Sequence, residues 1–254
     1  MSPAKSLDYE SPLATKKSSE ARLLDEAAVL VDVMAKKSPG DLQELMHISP
    51  ALAELNFDRF QDWQRPFTGD TARAAVLAFS GDVYHGLEAG TFSERDFTHA
   101  QKVFRILSGL YGVLRPLDMM MPYRLEMGSK VNNDRGKDLY AYWRDDVTKI
   151  LASDIAASPG ADVLINLASN EYFGAVDPEA LGSRIISPVF LDSKDGGPHK
   201  IVSFFAKKAR GSMSRHLIKN RITTIKGITE FDGMGYGYDA EQSAPDRPVF
   251  TRSY

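Results

Sequence analysis

Val163-Leu-Ile-Asn-Leu167 opens the part of the sequence that decides the fold, because helical spacing gives way there to short β-rich runs. Two similar runs follow, at Ile185–Phe190 and Lys200–Phe205, and glycine, proline and aspartate residues bound these segments. Runs of this length and composition are typical of strands, at least some of them covered on both faces. We therefore expect a central mixed sheet.

The first half of the chain has the spacing of helices. After a predicted cap at Ser18-Ser19-Glu20, an apolar stripe runs from Leu23 to Met34 and stops near Ser38-Pro39-Gly40. Further helices are predicted over Asp41–Met46, Pro50–Asn56, Thr71–Phe79 and Ser93–Leu107. The sequence thus predicts an α/β protein of mixed α+β type, one domain over residues 1–254, in which helices surround the central sheet.

The C-terminal residues predict a hairpin. Strands are expected over Gly235–Tyr238 and Val249–Arg252, on either side of a loop near Ser243–Asp246. Tyr236, Tyr238 and Phe250 are interpreted as sheet side chains, since strands favour aromatic residues. This hairpin is expected to close an edge of the sheet.

The composition excludes several classes of protein. The 254 residues are 43% hydrophobic and 26% charged, and no apolar run approaches the roughly 18 to 20 residues of a membrane span. The absence of cysteine excludes disulfides, thiolate metal sites and cysteine nucleophiles. We therefore expect a cytoplasmic protein without a membrane partner, and a monomer.

No metal or cofactor is predicted. The five histidines are scattered, and only Asp82 and His85 place a carboxylate close to an imidazole. No glycine-rich nucleotide loop, Walker lysine or nucleophile elbow is present. Ser2-Pro-Ala-Lys5 has the spacing of a serine-lysine nucleophile, but the companion motifs of such hydrolases are missing.

Positive charge is concentrated in one segment of a chain whose formal net charge is −3. No acidic residue occurs between Asp195 and Glu230, whereas eight lysines and arginines do. A helix is predicted over Ala206–Asn220, with an apolar stripe facing the core. The cations expected along it, and at its start, are Lys207, Lys208, Arg210, Arg215 and Lys219. Such a face binds an anion, phosphate above all, or is neutralised by acids from elsewhere in the fold.

A second candidate for phosphate binding is the run Gly109-Leu110-Tyr111-Gly112, with Arg115 beside it. A helix leading into a glycine-hydrophobic-x-glycine turn, followed by helical or turn character, is the layout of a helix-hairpin-helix element. The backbone N–H groups of that element bind phosphate without reading a base. A purely structural turn between two helices fits the same glycines equally well.

Polar groups also follow the first β-rich run. Ser169, Asn170, Glu171 and Tyr172 come directly after it, where α/β sheets often place binding groups, although such residues also cap helices. A further mixed segment, Arg124 to Tyr140, suits either an ion-pair network or a ligand cleft.

Taken together, these segments resemble the peroxide-stress resistance protein YaaA family over essentially the whole chain. The residues that carry the resemblance are Ser2–Asp8, Phe57–Trp63, Ala78–Tyr84, Leu107–Asp118, Pro122–Met127, Gly136–Tyr140, Asn166–Ser169, Glu171–Phe173 and Ser203–Gly211. The resemblance implies a YaaA-type mixed α/β fold with a basic cleft and a helix-hairpin-helix element. It also implies binding to double-stranded DNA and a role in limiting iron-driven damage by hydrogen peroxide.

The N-terminus departs from the family pattern. Family members usually carry a few apolar residues, which would form a strand, ahead of the Ser-Pro-Ala-Lys motif, whereas Met1 directly precedes Ser2 here. Without that strand a sheet position would be empty, and its neighbour would have an unpaired edge.

The leading hypothesis is therefore a sequence-tolerant DNA-binding protein of the peroxide response. In it Gly109–Gly112 and Arg115 hold one phosphate, the Lys207–Lys219 face follows the backbone, and Lys5 points into the same cleft as Lys207 and Arg210. The alternative is an enzyme acting on a small anionic or nucleotide-like substrate. Its cleft would combine Lys5, Lys207 and Arg210 with Asn170, Glu171, Tyr172 and Ser203.

Overall fold

Helices dominate the first hundred residues of the structure, a computed structural model that describes Met1–Tyr254. The elements of this part are β1 (Ser6–Leu7), α1 (Leu24–Met34), α2 (Pro39–Met46), α3 (Pro50–Asp62), β2 (Arg73–Ala74), α4 (Ala75–Ala78), β3 (Phe79–Ser80), α5 (Asp82–Leu87) and α6 (Glu94–Val103). Ser38 and Ser93 cap α2 and α6, each forming a capping box with an aspartate three residues later. Four of the five helices predicted here are confirmed, although the cap predicted at Ser18-Ser19-Glu20 is wrong, because α1 begins after Leu23 without a side-chain cap.

The helix predicted over Thr71–Phe79 is also wrong. This apolar run contains only one helical turn, α4, between the short strands β2 and β3. Almost every residue of the run is buried, so packing from both sides, rather than intrinsic helix propensity, sets its backbone conformation.

Strands become frequent in the middle of the chain. The elements there are β4 (Ile106–Ser108), β5 (Gly112–Leu114), β6 (Met119–Met120), α7 (Leu139–Ala157), β7 (Val163–Ile165), α8 (Asn170–Phe173), α9 (Pro178–Leu181) and β8 (Arg184–Ile186). The strand predicted from Val163 is confirmed as β7, which pairs in parallel with β8.

The last third contains the basic helix and the predicted hairpin. Its elements are β9 (Val189–Ser193), α10 (Ser203–Lys219), α11 (Ile225–Thr229), β10 (Gly237–Ala244) and β11 (Arg247–Ser253). β10 and β11 are antiparallel, as predicted, and β11 pairs in parallel with β9. The strand predicted over Lys200–Phe205 is wrong, because α10 begins at Ser203 and only Lys200 makes a β-bridge, to Asp192.

The strands form five small sheets instead of one central sheet, which corrects that expectation. The pairs β1–β3, β2–β6, β4–β5 and β7–β8 have two strands each, and β10–β11–β9 has three. Most strands have only two or three residues and therefore offer few ladder positions for a further neighbour. The result is a mixed α/β single domain with 11 helices and several small sheets.

Two apolar cores hold these elements together. The larger contains 47 buried residues and extends through α1, α6 and α7. The smaller contains ten buried residues and joins α10 to the last sheet. Ala206, Ala209 and Met213 lie in it, so the predicted apolar stripe of α10 faces the core as expected.

A close helix crossing fixes α10 against α5. A Cβ atom at Gly211 would lie 1.8 Å from the carbonyl oxygen of Val83, and one at Gly86 would lie 2.0 Å from that of Lys208. Only glycine lets the two backbones approach this closely.

An apolar groove lies between β4 and β7. The Met1 amine donates to the carbonyl oxygen of Arg105 (2.9 Å), and the Leu107 amide donates to that of Met1 (2.9 Å). β7 has a hydrogen-bonded strand on one side only. The groove has a volume of about 200 Å³, and most of the residues that line it are hydrophobic. None of the helices combines the length and apolar character needed to cross a membrane.

Candidate functional site

The run Gly109–Gly112 does not form a helix-hairpin-helix turn, so that prediction is wrong. It joins the antiparallel strands β4 and β5, in which Ile106 faces Leu114 and Ser108 faces Gly112. Gly109, Leu110, Tyr111 and Gly112 are all buried.

Close packing explains both glycines of this hairpin. A Cβ at Gly109 would lie 2.2 Å from the carbonyl oxygen of Leu125. Gly112 has a φ of +65°, and a Cβ there would meet the Trp143 ring at 2.7 Å. Because the fold covers the hairpin, its N–H groups do not face solvent, and in this structure they have no route to a phosphate of DNA.

Arg115 is committed to internal contacts. Its Nε donates to Oδ1 of the fully buried Asp118 (3.0 Å), and its Nη2 donates to the Glu20 carbonyl oxygen (2.8 Å). The Asp118 carboxylate also accepts from the Arg115 amide (2.8 Å) and the Ser19 hydroxyl (2.7 Å). Arg115 therefore stabilises the loop after β5, and the structure does not place it on a phosphate-binding surface.

The cations of α10 divide into two groups. Arg215 lies 3.4 Å from the carboxylate of Glu88, at the end of α5, and donates to Thr91 Oγ1 (3.1 Å). Lys207 and Lys219 are exposed and Lys208 is half-buried, and none of these three has a carboxylate within 4.0 Å. We refer to Lys207, Lys208 and Lys219 as the α10 lysines.

Arg210 is a cation without a partner. Its half-buried side chain has no ion pair or hydrogen bond, although its carbonyl oxygen accepts from Ser214 Oγ (3.0 Å). Burial lowers the pKa of its guanidinium below the usual range. Ser214, one turn further along α10, contacts the Met1 sulfur (3.5 Å), so this side of the helix faces the N-terminal residues.

The N-terminal motif meets the loop after β7. The Ser169 amide donates to Ser2 Oγ (2.9 Å), the two hydroxyls are 3.3 Å apart, and Tyr84 Oη donates to the Ser2 carbonyl oxygen (3.1 Å). Ser169 also caps α8, because its hydroxyl accepts from the Tyr172 amide (3.5 Å). The capping interpretation of this loop is therefore confirmed at Ser169, and the loop also contacts the Ser-Pro-Ala-Lys motif.

The remaining residues of the alternative cleft lie at different depths. Asn170 and Glu171 are exposed, and Glu171 Oε1 accepts from the Gly128 amide (3.1 Å). Tyr172 is buried, which raises the pKa of its hydroxyl well above the usual range. Ser203 is exposed at the first residue of α10.

Lys5 points to a different partner from the one predicted. Its Nζ lies 2.7 Å from Glu126 Oε2, and the same carboxylate lies 3.3 Å from Arg124 Nη2. The structure therefore joins Lys5 to the Pro122–Met127 segment and records no contact between Lys5 and α10. Arg59 and Arg73, which lie near this segment, were not predicted as site residues: Arg59 stands inside the Phe57–Trp63 motif, to which no role was assigned, and Arg73 belongs to none of the recognised motifs.

No metal centre accompanies these residues, since no three histidine, aspartate or glutamate side chains converge in an arrangement that could hold an ion. The Asp82–His85 pair therefore remains isolated.

Comparisons with known proteins give the family. The family model described as peroxide stress protein YaaA matches residues 1–242. A UPF0246 protein of Teredinibacter turnerae is 56% identical over 252 residues, which cover 99% of this chain and 98% of the relative. A UPF0246 protein of Saccharophagus degradans is 51% identical with the same coverage. The chain therefore belongs to the peroxide stress protein YaaA family.

Proposed function

We propose that this chain binds double-stranded DNA through phosphate contacts that are independent of sequence, and that it thereby limits iron-driven damage during peroxide stress. Membership of the peroxide stress protein family supports a role during peroxide stress. One observation is the main support for DNA binding. The α10 lysines have no acidic partner, although the chain as a whole has a net charge of −3.

An excess of positive charge along one helix favours the binding of a polyanion. Like charges along one helix repel each other, and pairing with phosphates offsets that repulsion and releases counterions from the DNA. Lysine is a point charge on a flexible stem, so the contacts it makes to phosphates carry little sequence information. Arg210, which lacks a partner at the same helix, adds a fourth positive charge.

The role of the α10 lysines is tested by replacing all three with alanine. We expect affinity for random duplexes to fall by a similar factor on every sequence, while the melting temperature changes little, because lysines without a carboxylate partner contribute little to folding. The matched control replaces Lys36, Lys137 and Lys149, which are also exposed and unpaired. Equal loss of affinity in both variants would show that only total charge matters and would reject the α10 surface.

A second candidate function is catalysis on a small anionic or nucleotide-like substrate. The contact between Ser2 and Ser169 favours it, because it brings the Ser-Pro-Ala-Lys motif and the Asn170–Tyr172 segment together. Neither of the two best-defined cavities is lined by Lys5, Glu171 or Lys207. Turnover of phosphate esters or nucleotides that disappears in Lys5→Ala would support this candidate over DNA binding.

A further inference from the structure

Four cations gather around the segment that follows β6, outside the α10 surface. Arg73 pairs through its backbone with Met120 in the β2–β6 register, and Arg124 lies four residues further along the chain. Lys5 reaches the same segment through its ion pair with Glu126. Arg59, on α3, completes the set, which we call the four-cation cluster.

Hydrogen bonds to aromatic side chains bring the end of α3, and with it Arg59, close to the segment after β6. Trp63, the residue directly after α3 and four positions after Arg59, donates its indole N–H to Tyr111 Oη (3.0 Å). That hydroxyl accepts from the Met121 amide (3.1 Å), so the last turn of α3 is held against the segment after β6.

Tyr9 lies between the arginines. Its hydroxyl donates to the Met120 carbonyl oxygen (2.7 Å), and the charges of Arg59 and Arg73 both lower its pKa, which burial raises overall. Burial lowers the pKa of Arg59; Tyr9 partly opposes this shift, and the charge of Arg124 adds to it.

The cluster has fewer acids than cations. Glu126 pairs with both Lys5 and Arg124, and Asp8, whose carboxylate accepts from the Glu10 and Ser11 amides, is close enough to Arg73 for that charge to lower its pKa. Glu171 accepts from the Gly128 amide and forms no ion pair with any of the four cations. Four positive charges therefore face two negative ones.

The arginines are also short of hydrogen-bond partners. Arg59 has no carboxylate within 4.0 Å, and its one side-chain bond is a long one of 3.3 Å to Asn56 Oδ1. Arg73 is only 7% exposed, and its Nη2 donates to the Ser11 carbonyl oxygen (2.8 Å), but its Nε has no partner, nor does the buried Nε of Arg124. Burying cations without matching acids and hydrogen bonds is costly, unless an anion completes the site.

We propose that the four-cation cluster is a binding site for a phosphate group. Its excess of two positive charges matches a phosphate dianion, and guanidinium groups bind phosphate oxygens with two N–H donors each. The exposed end of the site is at Lys5, which is 62% exposed, while Arg73 supplies charge from beneath. The ligand is inorganic phosphate or the terminal phosphate of a monoester such as a nucleotide.

The test measures melting temperature against inorganic phosphate and, in a second arm, a nucleoside 5′-monophosphate, with sodium chloride added to match ionic strength. At ten times the dissociation constant we expect a saturable rise of about 3 to 5 °C. A response to both probes would show that free phosphate is sufficient for binding. A response to the monophosphate alone would show that the ligand is a phosphomonoester.

Three variants distinguish an effect on phosphate binding from an effect on the stability of the fold. Arg59→Gln is expected to melt at or above the wild-type temperature in phosphate-free buffer, because it removes an unpaired cation, and to weaken phosphate binding about tenfold or more. Lys5→Gln, at an exposed position, is expected to weaken it without affecting folding. The control is Arg105→Gln, which breaks a half-buried ion pair with Asp154 (2.6 Å) and should lower the melting temperature but keep the phosphate response.

Three results would overturn the proposal: no response to either probe, a wild-type response in both Arg59→Gln and Lys5→Gln, or loss of the response when the α10 lysines are replaced. The last result would mean that phosphate binds on α10. Retention of the phosphate response in a protein that fails to bind duplex DNA would reject the proposed function and leave this site intact.

Discussion

Gly211→Ala tests the helix crossing that positions the basic surface. A Cβ atom at residue 211 would lie 1.8 Å from the Val83 carbonyl oxygen and 2.8 Å from the Leu87 nitrogen, whereas ordinary van der Waals contact begins near 3.4 Å. The obstacles are backbone atoms, so no side-chain rotation relieves them. α5 and α10 would have to separate by roughly 1.5 Å, and a gap of that size removes most of the dispersion contact across the interface.

The expected cost follows from that separation. Overpacking a rigid site costs about 1 to 3 kcal/mol, and two opposed backbones put this case at the upper end. Alanine recovers about 1 kcal/mol through its higher helix propensity. A net loss of about 2 kcal/mol corresponds to a fall of about 4 to 8 °C in melting temperature for a chain of this size.

Thermal unfolding followed by circular dichroism measures this fall, with Gly90→Ala as the control. Gly90 has no atom within 4 Å of an added Cβ and no unusual φ, so that variant should melt within about 2 °C of the wild type. If Gly211→Ala melts as the wild type does, the helices are not in backbone contact and our account of how α10 is held is wrong.

Three further predictions concern the core and the corrected site residues. Although burial raises the pKa of Asp96, hydrogen bonds from its cap and the Arg221 guanidinium lower it to about 2, below the unfolded value near 4. Its contribution to stability is therefore present above about pH 4 and lost as the pH falls toward 2, and Asp96→Asn should flatten that part of a urea-unfolding pH profile. Gly112→Val should destabilise the protein by about 3 kcal/mol or more in denaturant unfolding, because the side chain meets Trp143 at a positive φ. Arg115→Ala should lower the melting temperature but leave duplex affinity in a filter-binding assay nearly unchanged, the opposite of what a phosphate contact predicts.

Local signals in the sequence predicted the elements that local chemistry determines. Ser38 and Ser93 each precede an aspartate by three residues, and each caps the helix that follows it. The apolar stripe of α10 predicts its buried face because helical spacing alone decides which residues meet the core.

Tertiary packing decided what the sequence left ambiguous. Two glycines three residues apart suit a turn between helices and a β-hairpin equally, and the approach of the Leu125 backbone and the Trp143 ring selects the hairpin here. Likewise, the strand over Lys200–Phe205 was predicted from β-branched and aromatic residues, but Ser203 to Phe205 form the first turn of α10. Helix and strand are hard to tell apart in such short apolar runs.

The candidate site was predictable only in part for the same reason. The excess of cations on α10 is visible in the sequence, but the contact of Arg215 with Glu88 depends on α5 packing there. Arg59 and Arg73 are separated in sequence from Arg124 by about 50 residues or more, so only the fold shows that they share a site.

The salt dependence of duplex binding tests the central claim most directly. Fluorescence anisotropy with a labelled random duplex, from about 50 to 200 mM salt, gives the slope of log K against log salt. Our account predicts a linear fall that becomes shallower by about one unit for each of the α10 lysines replaced. Absence of binding at about 50 mM salt, or an identical slope in the wild type and the triple variant, would contradict it.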